Sequence, residues 1–165
     1  MNSTELSSQA LLALHAEVTE VLRKRDILRS SNNPTGDLAE HLFCIAFPSW
    51  KQERNSQTGF DAVDEQTKER YQIKGRRCAE NDKSRQLGAI RNLDSKDFDF
   101  LAGIIFSSDY QVQRAVIIPF AVVARLAKRQ THTNSHRFLL RDDVWNEARV
   151  VDVTAKLLAA KMRDC

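Results

Sequence analysis

The chain is poor in glycine and cysteine and has no long apolar run. Its five glycines nowhere show phosphate-loop spacing. A nucleotide-driven motor is therefore excluded, because such a loop needs closely spaced backbone N–H groups around the phosphates. The three cysteines, Cys44, Cys78 and Cys165, are odd in number and form no Cys-x-x-Cys pair, so a disulfide framework is not expected. The longest apolar stretch, residues 115–124, is broken by Pro119 and falls short of the about 20 residues that cross a bilayer. The N-terminus is polar, without the apolar core of a secretory leader. A cytoplasmic protein with no membrane partner is the expectation.

What is present fits one globular domain: 165 residues, of which 42% are hydrophobic. The net charge of +3 is only mildly basic, so the placement of the charges says more than their sum. Residues 1–30 carry leucines and valines at three- and four-residue spacing, which predicts a long helix with Ser3 or Thr4 as its cap. The polar stretch Ser30-Ser31-Asn32-Asn33-Pro34 then reads as a loop. The apolar stripe of that helix fits either a homodimer contact or packing on its own domain.

A second helix is predicted from Thr35 to Pro48, with Leu38, Leu42, Ile45 and Ala46 inward and Thr35 or Asp37 as its cap. Residues 50–53 suit an edge strand, and 60–64 and 70–74 two strands of period two. A helix is predicted over 85–93, strands over 98–106 and 111–118, a helix over 120–128, a strand over 137–140, and a last helix from Asp152 through Met162. The fold class is α/β, a mixed central sheet flanked by helices. Residues 35–120 form the core and 121–165 a C-terminal extension.

The segment Gly59-Phe60-Asp61-Ala62-Val63, with Tyr71-Gln72-Ile73-Lys74-Gly75 after a polar turn, carries the chemistry. A hairpin centred between Thr67 and Lys68 places Asp61 opposite Lys74 and Val63 opposite Gln72. Asp61, Gln72 and Lys74 then share a face, with opposed Cβ atoms roughly 5 Å apart. Tyr71 alternates away and is read as a packing residue. Asp61 is a hard anionic ligand for Mg²⁺ or Mn²⁺. Gln72 adds a neutral oxygen and the Ile73 carbonyl another. Lys74 suits activation of water or neutralisation of charge on a phosphate. Glu40, on the second helix between Asp37 and His41, would reach the site directly or through a water.

These residues resemble the PD-(D/E)xK nuclease superfamily, over roughly residues 35–120. The resemblance implies a restriction-endonuclease-like αβββαβ core, here with an extra N-terminal helix, and metal-dependent cleavage of double-stranded DNA of restriction or defence type. It gives Asp61, Gln72, Lys74 and Glu40 the positions of acid, second ligand, lysine and helix acid. Most members carry an acid where Gln72 stands; the glutamine is similar to that of Mrr-type enzymes. The competing expectation is a non-catalytic DNA-binding module or subunit on the same fold.

Arg76, Arg77, Lys83, Arg85 and Arg91 follow the lysine strand and could hold phosphates; a solvated loop and helix face accounts for them equally well. His132 and His136 have zinc-like spacing but no cysteine pair, which favours a polar loop. Cys44 lies among apolar neighbours and is expected in the core.

Overall fold

In the computed structural model, residues 3–53, 59–79, 82 and 84–160 are described. The leucine-rich start folds as α1 (Ser8–Lys24), capped by Ser7, whose hydroxyl accepts from the Ala10 N–H at 3.2 Å. The expected caps Ser3 and Thr4 lie instead in a short 3-10 turn. Only Thr19 of α1 is buried, and Leu11, Leu12, Val18 and Val21 are exposed.

The second apolar stripe forms α2 (Thr35–Ala46). It is followed by β1 (Trp50–Gln52), β2 (Ala62–Asp64) and β3 (Arg70–Arg77). Next come β4 (Ile90–Arg91), β5 (Phe100–Phe106) and β6 (Val112–Pro119). The chain closes with α3 (Phe120–Leu126), β7 (Lys128–Gln130), β8 (Ser135–Arg137), β9 (Val151–Asp152) and α4 (Thr154–Ala159). The part of the last expected helix beyond residue 160 lies outside the described residues.

Six strands form one sheet in the order β1-β2-β3-β5-β6-β9, and β4, β8 and β7 form a smaller one. The large sheet is mixed: β3 and β5 run parallel, and its other neighbours are antiparallel. This is the α/β class expected. β5 reads as an unbroken apolar run because it is buried on both faces. On one face Ala102, Ile104 and Phe106 join Tyr71 and Ile73 beneath α2 and α4. On the other, Leu101 and Ile105 meet Leu87, Ile90, Val123, Phe138 and Leu140.

Two expectations are corrected. The helix over 85–93 does not form: β3 reaches β5 through an extended segment whose only helical turn, among the described residues, is a 3-10 turn at Leu93–Ser95. Leu87, Ile90 and Leu93 are spaced as on a helix, but they are buried by pairing with residues 135–140. Leu87 N–H donates to Phe138 O at 3.0 Å, Leu140 N–H donates to Arg85 O at 2.9 Å, and Ile90 pairs with His136. Tertiary pairing thus overrides local periodicity. The strand expected over 137–140 is β8, displaced toward 135, with a single further bridge between Gln86 and Leu139.

No helix among the described residues is long and apolar enough to cross a membrane.

Candidate functional site

The β2–β3 hairpin pairs Ala62 with Tyr71 and Val63 with Arg70. The expected pairing of Val63 with Gln72 is thus corrected by two residues, and Asp61, just before β2, lies against Tyr71 rather than Lys74. The cause is the turn. Asp64 Oδ1 accepts from the N–H groups of Gln66 (2.8 Å) and Thr67 (3.3 Å), and Asp64 N–H donates to Glu69 O at 2.9 Å. The loop is therefore longer than a two-residue turn, and Lys68 closes it at φ 64°. A shift of two preserves the faces. Ala62, Tyr71 and Ile73 lie in the core beneath α2, Gln72 and Lys74 take the opposite alternation of β3, and Asp61 stands at the strand edge.

β2 ends early, and this creates the site. Asp61 N–H donates to Tyr71 O at 2.8 Å, which directs the odd-numbered backbone groups of β3 toward β2. Beyond Tyr71 no strand pairs with that edge among the described residues. Ile73 N–H instead donates to Asp61 Oδ2 at 2.7 Å, and the Ile73 carbonyl points to the same side, since both groups of a strand residue do.

Gln72 is 8% exposed. Its Nε2 makes a long contact of 3.5 Å to Gly59 O, and its Oε1 is buried without a partner. An orphaned buried oxygen of this kind calls for an explanation. Gly59 has φ 77°, and a Cβ there would lie 2.5 Å from the Asp97 side chain, so only glycine leads the chain into Asp61 along this path. Lys74 is half-buried and has no hydrogen-bond or ion-pair partner among the described residues.

Glu40 reaches this edge from α2. The helix packs close because β3 carries glycine beneath it: a Cβ on Gly75 would lie 2.9 Å from Thr35 O and 3.1 Å from Ala39 Cβ. Glu40 is also 8% exposed. Burial, and then the nearby Asp61 charge, raise its pKa above the usual carboxylate value; the Gln52 hydrogen bond and Arg29 oppose this. Glu40 Oε2 accepts from Gln52 Nε2 at 2.9 Å and from the Arg29 guanidinium. Asp37, one turn earlier, does not cap α2. Its Oδ2 accepts from the N–H groups of Arg29 (2.9 Å) and Ser30 (2.8 Å), holding the loop that delivers the guanidinium.

Arg29 and Gln52 are site residues the sequence reading missed. The only signal was two acids on one helix face beside a third, which in a buried setting require a cation.

The arginines are largely engaged within the protein. Arg76 pairs with Asp82, Arg77 stacks on the Tyr110 ring at 4.9 Å and donates to its hydroxyl at 3.1 Å, and Arg85 bonds Asp142 at 2.5 Å. Arg91 is exposed on β4. Lys83 lies outside the described residues. His132 sits in a 3-10 turn, whereas His136 is in β8 with its Nδ1 buried and unpartnered. Tyr71 packs between Trp50 and Phe100 as expected, with centroids at 3.8 and 5.4 Å. Cys44 packs against the core, and burial pushes its thiol up to about 11.

The donors at the hairpin edge are all oxygens: Asp61 carboxylate, Gln72 Oε1 and Ile73 carbonyl. That set suits a hard divalent cation, and the orphaned Gln72 Oε1 is the atom such an ion would satisfy. No cluster of three or more His, Cys, Asp or Glu side chains able to hold a metal occurs among the described residues; this set depends instead on an amide and the main chain. Searches against protein-family models and curated proteins find no match to the sequence.

Proposed function

We propose that the chain is a metal-dependent endonuclease of PD-(D/E)xK type that hydrolyses phosphodiester bonds of double-stranded DNA, in a cytoplasmic restriction or defence role. The observation that carries this reading is the buried, partnerless Gln72 Oε1 next in sequence to the Ile73 N–H that Asp61 caps, on the strand that bears Lys74, which has no partner among the described residues. The succession α2-β1-β2-β3, with β5 parallel to β3, supports a restriction-endonuclease-like core, although the helix that the αβββαβ order sets between β3 and β5 does not form among the described residues.

Asp61, Gln72 and the Ile73 carbonyl would hold Mg²⁺ or Mn²⁺, with Glu40 beyond them. The ion would supply Lewis-acid polarisation of the phosphate and neutralise its charge. Asp61 has a second duty, because its Oδ2 caps the Ile73 N–H and keeps the β3 edge extended. Lys74 Nζ would stabilise charge that develops on the phosphoryl oxygens or direct the attacking water. Arg29 and Gln52 hold the Glu40 carboxylate in one orientation.

Nicking of supercoiled plasmid tests this reading. Cleavage is expected with Mg²⁺ or Mn²⁺, none with EDTA, and none in Lys74→Ala; full activity in Lys74→Ala would sink the role of the lysine. A second reading, a DNA-binding module without cleavage, is favoured by one specific observation: Glu40 Oε2 is already satisfied by Arg29 and Gln52, and Gln72 is neutral. Binding without cleavage under every metal would select it. Two copies would pair through the exposed stripe of α1, and a solution mass unchanged by Leu12→Glu plus Val18→Glu would dismiss that pairing.

A further inference from the structure

Past the hairpin no strand pairs with the outer edge of β3 among the described residues, and a cleft of about 520 Å³ lies along it. One wall is the start of α2, with Asn33 and Thr35; the other is the extended segment Gln86 to Ala89; Gly75, Arg76 and Arg77 form the floor and end. The cleft therefore lies farther along β3 than Ile73, and Lys74 comes next to its wall at Gly88. Its acid, Asp82, is spent on Arg76, while Arg77 is exposed and Lys74 lies under the wall.

Gly88 is the telling residue of that wall. Its φ is not in the left-handed region. A Cβ added there would meet only the Cδ of Lys74, at 3.8 Å, an ordinary contact. Neither backbone conformation nor packing demands glycine at this exposed position. A longer side chain would instead stand over the Lys74 stem and close the cleft above the ammonium.

We propose that this cleft seats the backbone of the nucleic-acid strand to be cut, and that Gly88 keeps Lys74 uncovered so that a phosphodiester can reach it. The inference rests on the nuclease reading and names the path by which its substrate enters. Successive phosphates along a strand match a groove with the exposed Arg77 at its mouth and the amide side chains of Asn33 and Gln86 on its walls. The absence of a side chain at 88 allows close approach of a backbone, as glycine does elsewhere.

The test uses a fluorescein-labelled 20-nucleotide probe, as a duplex and as a single strand, with anisotropy read in EDTA so that nothing is cut. Gly88→Leu is expected to weaken binding by roughly tenfold or more, while Gly88→Ala stays close to wild type. Mn²⁺ binding, read separately by electron paramagnetic resonance, is expected to be unchanged in both. Arg77→Glu, at the mouth, should weaken binding and reduce its salt dependence. Wild-type affinity in folded Gly88→Leu overturns the proposal, even if that variant still cleaves and the nuclease reading stands. If thermal melting finds Gly88→Leu unfolded, unchanged affinity in Arg77→Glu overturns it instead. A wild-type protein that binds the probe in a Gly88-sensitive way but cleaves nothing with any metal upholds the cleft and defeats the nuclease.

Discussion

The first residues of β3, Arg70 and Tyr71, have strands on both sides, whereas Ile73 to Arg77 pair, among the described residues, with β5 alone. The first half is anchored. Asp99 Oδ2 accepts from Arg70 N–H at 2.9 Å and from its Nε at 3.1 Å, Asp99 N–H donates back to Arg70 O at 2.8 Å, and Tyr71 is stacked between two rings. The second half has, among the described residues, outer-edge backbone groups with no strand partner and a lysine with no ion-pair partner, and it carries a glycine beneath a helix and a cleft. One strand thus divides its length between fixing the register and exposing chemistry. Pairing on both sides gives precision; pairing on one side leaves backbone groups for something other than protein.

The sharpest way to break this comparison is chemical. Lys74→Ala and Asp61→Asn are expected to lower cleavage by at least roughly a hundredfold with little change in melting temperature. Asn retains an acceptor for Ile73 N–H, whereas Asp61→Ala would strand that donor and confuse stability with chemistry. A Lys74→Ala protein that cleaves normally would remove the functional half of the contrast.

Next in size is Gly75→Ala. Its Cβ would lie 2.9 Å from Thr35 O, against backbone that cannot yield cheaply, and overpacking of this kind costs about 1–3 kcal/mol. Because α2 carries Glu40, the variant should also lose Mn²⁺ affinity. Thermal melting and metal titration of one preparation check both effects.

In the anchored half the expected effect is on stability alone. Asp99→Ala removes the acceptor for Arg70, at a cost of about 1–2 kcal/mol since both side chains are about a third exposed. The Arg70 hydrogen bond holds the Asp99 carboxyl below its usual range. Its contribution is therefore present above the unfolded carboxylate value and is lost as pH falls through the lowered folded one. The stability gap between wild type and Asp99→Ala should shrink below about pH 4; a gap constant to pH 2 would disprove the pairing.

The smallest expected effect concerns thiols. With its pKa pushed up to about 11 by burial, Cys44 should react with iodoacetamide at pH 8 at least roughly tenfold more slowly than Cys78. Peptide-resolved labelling distinguishes them.

How much of this was legible in the sequence depended on whether neighbours or distant segments decide. α2, β3 and β5 were readable because their apolar patterns are those of buried elements. The shared face of Gln72 and Lys74 was readable because side chains two apart on one strand point the same way. The register shift of two was not, since it depends on Asp64 capping two N–H groups and Lys68 adopting a positive φ. The segment 85–93 was misread as a helix because spacing by three buries Leu87, Ile90 and Leu93 equally well when residues 135–140 pair with it. Arg29 was invisible because its partners, Asp37 and Glu40, are brought to it only by the path of the loop.

The ring column Phe43, Phe47, Trp50, Tyr71, Phe100 has one further consequence. Its indole is two residues from Gln52, the amide that holds Glu40, and it lies face to face with the phenol that precedes Gln72. The other tryptophan sits beneath the Arg114 guanidinium at 3.7 Å, far along the chain. The molecule therefore contains an intrinsic fluorophore tied to the Glu40 partner through one short strand, and in a Trp145→Phe protein its emission would test for a cation at that edge, with no label attached.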